Sequence, residues 1–540
     1  MQKHIWCALA ISATVIISAP FLRGGARHGV LKPEFQTSDR CVACHNGLTT
    51  KSGEDISIGL DWRPSMMANS SRDPYWQASV RRESVDHPEA MPAIEDECSV
   101  CHMPITHLQA KGEGRKTEIF AHLPFNPDNK DNVAAEDGVS CSVCHQIAKE
   151  KLGTPETFNG AFKVDDPEKG DQRSEYGPFV IDAGHERVMQ SSTGGFVPTE
   201  AAHIRDSALC GTCHTLYTQA LGPGGKEIGN FPEQMPYLEW LHSDYPAKSS
   251  CQSCHMPEVH EDVPVTSIMG QPREGMRRHE FVAANFFMQH MLNEYRGDLS
   301  VAALPHELTN AATRTVTFLQ TQSARVSIRN LESSSSRLTM EVLVENLSGH
   351  KLPTAYPSRR AWLHVTVRDA SGRTVFESGG LNPDASIKGN DNDADPLRFE
   401  PHYLEITSPE QVEIYESIPK DSAGHVTTGL LSAVGYLKDN RILPSGFSKQ
   451  TADKDIAVIG EAANDPNFTD EGSLVRYSVS TGDAPGPFHL EAELWYQPIG
   501  FRWAHNLAPY PEAEPQRFVS YYDSMSSSTA VLLARAEASH

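Results

Sequence analysis

Cys41-Val-Ala-Cys44-His45, Cys98-Ser-Val-Cys101-His102, Cys141-Ser-Val-Cys144-His145, Cys210-Gly-Thr-Cys213-His214 and Cys251-Gln-Ser-Cys254-His255 are five copies of one pattern. They use ten of the 11 cysteines; the other is Cys7. Two thiols with two residues between them stand about one helical turn apart. That spacing lets both add to the vinyl groups of one porphyrin, and the imidazole that follows meets the iron as proximal ligand. Competing readings fail on different counts. Disulfide frameworks need no histidine after each pair, and thioredoxin-like redox centres occur singly on a βαβ unit. A zinc ribbon needs two pairs close in sequence, whereas these begin at 41, 98, 141, 210 and 251. The pattern predicts five covalently attached c-type haems, with His45, His102, His145, His214 and His255 as proximal ligands.

Outward from the motifs, residues 30–300 are rich in Gly, Pro, Asp and Asn and have few long periodic apolar segments. Such a region is expected to use the porphyrins as its apolar interior and to wrap them in short helices and loops, among them 206–209 and 237–242. From about residue 310 the texture changes. Apolar and polar residues alternate over 325–328, 338–345, 362–368, 374–377, 490–496 and 530–536, bounded by Gly, Asp and Ser, which is the period of antiparallel strands. The expectation is an α+β protein: a haem-packed domain over 30–300, then an antiparallel β-sandwich-like domain over 310–540. That second part carries no cysteine, so a structural or docking role is expected for it.

Residues 1–22 read as a signal peptide or N-terminal anchor, with Lys3 and His4 before the apolar stretch 5–19, then Pro20 and Arg23. Attachment of c-type haem outside the cytoplasm agrees with export. The expected location is the periplasm, or a membrane association facing it, with an extracellular site as the alternative. A formal charge of −23 argues against nucleic acid, which needs clustered Lys and Arg. It suits partners that present a basic patch, although acidic surfaces also serve solubility. The expected partners are redox proteins, as donor and acceptor, and a membrane redox complex.

Proximal ligation leaves nineteen of the 24 histidines. His203, seven residues before Cys210, could lie on the helix feeding that haem. His107 and His260 each follow a Cys-His-Met-Pro sequence by a few residues and could reach a neighbouring porphyrin or a propionate. His122, His185, His279 and His290 also lie in the motif region. His350, in Ser-Gly-His-Lys-Leu-Pro-Thr, falls at a turn between two strands, from which it could project toward the haems. Asp391, Asp393 and Asp395 alternate on a polar segment, which suits either a calcium ion or a solvated acidic loop. The chain has no Gly-rich phosphate loop, nucleophile elbow or His-Glu-x-x-His pair.

The motifs, Trp62-x-x-Ser65-x-Met67-Ala68, His203 ahead of Cys210, and His279-Glu280-Phe281 together resemble the multihaem cytochromes c related to hydroxylamine oxidoreductase and to the tetrahaem cytochrome that accepts its electrons. The resemblance covers roughly 35–290. Gly349-His350-Lys351-Leu352-Pro353-Thr354 followed by Ser358-Arg359-Arg360 is similar to a segment of larger multihaem cytochromes with a β-rich tail. The resemblance implies His203, His279 and His350 as distal ligands. It also marks a departure, since family members often carry histidine where Met67 stands. Met67 either ligates, giving a His/Met haem of raised potential, or packs on a porphyrin face.

These readings predict an electron relay through five haems. The alternative is a haem enzyme acting on a small nitrogen or sulfur compound at one open iron. All five motifs end in histidine, with no Cys-x-x-Cys-Lys variant of the kind found in pentahaem nitrite reductases. That favours the relay.

Overall fold

The computed structural model describes residues 35–126, 128–129, 132–165, 172–334 and 336–540, so the N-terminal segment 1–22 and Cys7 lie outside the described residues. Short helices carry the motifs. Cys41 lies in Ser38–Val42, Cys98 and Cys101 end Met91–His102, Cys141–Cys144 is itself one turn, Cys210 lies in Ser207–Gly211, and Cys251–His255 is the fifth. The i, i+3 geometry that the chemistry requires is therefore built into each motif.

Longer helices brace them. Pro74–Asp86 starts where Asp73 accepts hydrogen bonds from the amides of Tyr75 and Trp76, with Pro74 in the first turn, a cap contributing about 1 kcal/mol. Pro305–Gln322 buries Leu308, Ala311, Ala312, Thr315 and Leu319 along one face, at a helix's period. Apolar side chains also cluster conventionally in the motif region. Trp76, Val80, Ile94, Met103 and Ile119 form one group, and Leu48, Ile56, Val259, Val263 and Met276 another.

The C-terminal half holds two mainly antiparallel sheets that do not close into a barrel. In one, Ala324–Ser333, Arg337–Asn346 and Gly472–Ser480 run side by side, with Phe468–Thr469 at one edge and the parallel strand Glu405–Ile406 added. In the other, Arg360–Arg368 is flanked by His489–Gln497, which pairs in turn with Val531–Ser539; Thr374–Ser378 and Ile414–Tyr415 join its opposite edge. Alternation decides the faces: Leu338, Met340, Val342 and Val344 are buried, while Arg337 and Glu341 are not. Both sheets contribute to one core with Val365, Leu494, Val475 and Tyr477.

Residues 35–540 form one compact unit. The helix Ala513–Ser524 packs along Pro74–Asp86, where Arg81 forms a two-pronged ion pair with Glu514 at 2.9 and 3.0 Å. Glu83 accepts from the amides of Leu430 and Leu431 at 2.8 and 3.3 Å. Among the described residues no helix is long and apolar enough to cross a membrane.

Candidate functional site

Four of the motif histidines are half-buried with Nδ1 committed, and His214 is exposed. His45 Nδ1–H donates to the carbonyl of Val265 (2.5 Å), His102 to Ser70 (2.9 Å), His145 to Tyr176 (2.6 Å) and His255 to Val282 (2.5 Å). A ring that donates from Nδ1 presents an Nε2 lone pair. Burial lowers His102 to about 4, and desolvation by the surrounding protein, with help from His255 and Arg359, lowers His214 to about 4, so both rings are neutral at pH 7. Neutral imidazole is the form that binds metal.

Two motif histidines face a second imidazole. The rings of His145 and His279 have centroids 6.3 Å apart and planes within 18°; those of His255 and His350 are 6.3 Å apart and within 11°. Both added rings are also committed at Nδ1, His279 to the carbonyl of Arg277 (3.1 Å) and His350 to that of Lys351 (3.0 Å). With a metal–nitrogen bond of about 2.0–2.1 Å and each ring nitrogen about 1.1 Å from its centroid, two imidazoles on opposite sides of one metal have centroids about 6.3 Å apart. The observed spacing is that of one metal between two rings. Burial, with a further contribution from His145, lowers His279 to about 3, keeping it neutral too.

The motifs touch one another. The thiols of Cys41 and Cys141 lie close enough to shift one another's titration, as do those of Cys210 and Cys251, and of Cys101 and Cys213. The first two contacts share a construction. The amide of Cys141 donates to Ser38 Oγ (3.2 Å) and that of Cys251 to Ser207 Oγ (3.0 Å). In each pair the residue after the second motif's first cysteine reaches back: Ser142 Oγ to the carbonyl of Gln36 (2.6 Å), Gln252 Nε2 to that of Asp206 (2.8 Å). The third contact is closed by Gly160, whose amide donates to Thr212 at 2.7 Å. Its φ of +69° and the approach of Val100 to its Cα leave no room for a side chain.

The remaining candidates are distributed as follows. His107 is buried, with Nδ1 3.3 Å from both Asp96 and Ser99 Oγ; His122 Nδ1 is 3.1 Å from Asn132. In both, a side chain orients the ring. His203 is set differently, with Nε2 2.8 Å from the carbonyl of Ile147 and its ring edge-on to Tyr176. His185 has both nitrogens engaged, by Asp182 and the carbonyl of Ile268, His260 is exposed, and His290 lies beside Phe286. The carbonyl of Met67 accepts from Val139 (2.9 Å), which lays its segment against the approach to Cys141. The three aspartates do not converge. Residues 391–394 form a helical turn, Asp393 is buried in a two-pronged pair with Arg360 (2.7 and 2.9 Å), and Asp391 pairs with Arg398. Among the described residues no three acidic, His or Cys side chains are grouped to hold an ion.

Sequence reasoning passed over Trp76, whose ring stacks on His102 at 4.4 Å and 2°. Arg359, named in the sequence only as part of a resembling segment, lies near His214 and His350 and donates to the carbonyl of Thr354. Ser38 and Ser207 did carry a signal, because both stand three residues before a motif's first cysteine and the other three motifs lack serine there.

Thiol pairs on one helical turn, neutral rings with a free nitrogen, and a second ring one metal-width away make a donor set that fits c-type haem. No protein-family model matches the chain, and no curated protein does. The structure is similar to the crystal structure of a penta-heme cytochrome c552 from Thermochromatium tepidum. The TM-score is 0.50 over 94% of this chain and 100% of that one, at 15% sequence identity. The likeness is of fold, and it gives this chain a multihaem cytochrome c-like architecture.

Proposed function

We propose that this chain is an exported multihaem c-type cytochrome that relays electrons between redox partners through five haems, one on each Cys-x-x-Cys-His motif. The observation that carries the proposal is the pair of imidazole couples, His145 with His279 and His255 with His350, each spaced for one iron. The ten motif cysteines would hold the porphyrins, and His45, His102, His145, His214 and His255 would be the proximal ligands. His279 and His350 would be the sixth ligands of the haems at Cys141 and Cys251. His107, His122, His203 and Met67 are the candidates for the other three. Bound haem iron supplies the one-electron ferric–ferrous couple.

What the polypeptide does is hold and tune. Carbonyls fix the ring tautomers, burial keeps the rings neutral, and the Ser38 and Ser207 contacts set neighbouring motifs side by side, close enough for their porphyrins to adjoin. The relationship to the hydroxylamine oxidoreductase group belongs to this proposal as ancestry of the haem-binding part, without its substrate chemistry. Partners would be redox proteins with basic docking faces, in the periplasm or on a membrane complex facing it.

One observation favours a second reading. Unlike the other four motif rings, His214 makes no side-chain hydrogen bond among the described residues, and like His45 and His102 it faces no second imidazole at ligand spacing there. Among the described residues Arg359, beside it, forms no ion pair and donates to the carbonyl of Thr354. An open haem there would take a small anionic nitrogen or sulfur compound. Low-temperature EPR of the oxidised protein, with optical spectra with and without cyanide, separates the two. The relay predicts only low-spin signals, unchanged by cyanide. A high-spin signal from about one haem, shifted by cyanide, would overturn it and put the enzyme first.

A further inference from the structure

We infer that the buried chain Lys351–Asp439–Arg441–Glu239 is a positioning device through which the β-rich half holds His350 over His255; this rests on the reading of His350 as a sixth ligand. Lys351 is 0% exposed. Its Nζ lies 2.7 Å from Asp439 Oδ2 and 3.3 Å from the carbonyl of Ala457. Asp439 also accepts from Arg441 at 2.9 and 2.7 Å, and Arg441 reaches Glu239 at 2.9 Å. The signs alternate along the chain, so four buried charges sum to zero. Burial alone would raise the Asp439 carboxyl, but Arg441 and Lys351 hold it down to about 2.

Geometry shows what the chain grips. Glu239 lies on the helix Pro236–Leu241, whose Tyr237 ring packs against Gly211 in the Cys210 motif. The other carboxylate oxygen of Glu239 accepts from the Lys351 amide (3.2 Å) and from Thr354 Oγ1 (2.5 Å), on the same turn as His350. Asp439 ends the strand Ala433–Asp439, and Leu352 and Ile442 exchange backbone bonds at 2.9 Å. Asn346 holds the carbonyl of His350 at 2.7 Å. The residue after His350 is thus pinned from both halves of the molecule, while His350 Nδ1 donates to that same residue's carbonyl. A buried ion pair is weak evidence for stability. Here its position, one residue from a ring aimed at His255, accounts for it as a device of orientation.

The test measures EPR and cyanide-dependent optical spectra of the haem-loaded full chain. Lys351→Met should turn about one of the five haems high-spin and cyanide-reactive, and Lys351→Arg should restore the low-spin spectrum. Lys351→Met with Asp439→Asn removes one charge of each sign, leaves Arg441 and Glu239 paired, and should show the same new high-spin haem. His350→Ala is run in parallel. If His350→Ala gives no new high-spin haem, the ligand reading itself fails. If it does, while both Lys351→Met variants keep the parent's spectrum, positioning is overturned. Positioning is equally overturned if both Lys351→Met variants fail to load five haems where His350→Ala loads them, since Lys351 would then be a folding residue.

Discussion

The Cys41/Cys141 region and the Cys210/Cys251 region are built from the same parts and differ in where the parts come from. Each has a serine three residues before its first cysteine that accepts from the amide of its second motif, two thiols near enough to shift one another's titration, and a second imidazole 6.3 Å from the second motif's histidine. In the first region that imidazole is His279, from within the motif-bearing part of the chain. In the second it is His350, from the turn between the two β-sheets' strands Arg337–Asn346 and Arg360–Arg368. The first region is also the more tightly tied, because His45 and His145 both donate to carbonyls, whereas only His255 does so in the second. One motif pair thus finds its second imidazole within the motif-bearing part, and the other takes it from the β-rich half.

The largest expected effect comes from deleting the two imidazoles separately. His279→Ala should make the haem at Cys141 high-spin and leave that at Cys251 low-spin, and His350→Ala should do the reverse. Redox titration followed by EPR distinguishes the two haems by midpoint potential. If both variants convert the same haem, the two regions are not equivalent and the comparison breaks.

A smaller effect tests the dependence on the β-rich half without touching a ligand. His402 is 4% exposed between Glu413 (2.7 Å) and Asp465 (3.0 Å), and Asn440, which bonds Glu413 at 2.9 Å, lies between Asp439 and Arg441. Burial would lower His402, but the two carboxylates outweigh it and raise it. A raised folded value means the stabilisation is complete below the ordinary histidine range, near pH 6.5, and is lost as pH rises through the folded value. His402→Gln strands two buried carboxylates and should cost about 3–5 kcal/mol. Thermal melts read at the haem bands, from pH 6 to 9, check this. The parent should lose stability on the alkaline side, the variant should lack that pH step, and in both the Cys251 haem should turn high-spin before the Cys141 haem does.

Much of this architecture can be read along the chain, because it repeats locally. The strands expected at 325–328, 338–345, 362–368, 374–377, 490–496 and 530–536 lie within Ala324–Ser333, Arg337–Asn346, Arg360–Arg368, Thr374–Ser378, His489–Gln497 and, but for its first residue, Val531–Ser539. The helices expected at 206–209 and 237–242 are Ser207–Gly211 and Pro236–Leu241. Pro305–Gln322 was hidden, because its buried face is mostly Ala and Thr around Leu308 and Leu319, a weak apolar signal. Apolar clusters such as that around Trp76 show that the motif region does not rely on porphyrins alone for an interior. Asp393 reads as either an ion ligand or part of a solvated loop because Arg360, its partner, is 33 residues away. The same distance problem hides Lys351–Asp439 and the serine contacts, which join segments no period connects.

The smallest effect sharpens the comparison at those serines. Ser207→Ala removes one hydrogen bond to the Cys251 amide and should cost about 1 kcal/mol at any pH. Ser38 differs, because its Oγ also donates to Asp137 (2.9 Å), and burial has pushed that carboxyl up to about 7 against the Ser38 bonds that lower it. A carboxyl raised above its unfolded value binds more protons folded than unfolded, so stability falls as pH rises from about 4 through 7. Deleting the Ser38 hydroxyl withdraws support from the ionised form and raises the carboxyl further. Below about pH 6, where the folded Asp137 is protonated in parent and variant alike, Ser38→Ala should therefore cost about as much as Ser207→Ala; its excess should appear as pH rises through about 7 and level off above about pH 8, at about 1 kcal/mol. Denaturant melts of both variants at pH 4, 6 and 8 measure the difference. A flat, equal cost would mean that Asp137 does not draw on Ser38, and that the first pair's tighter tie ends at its imidazoles.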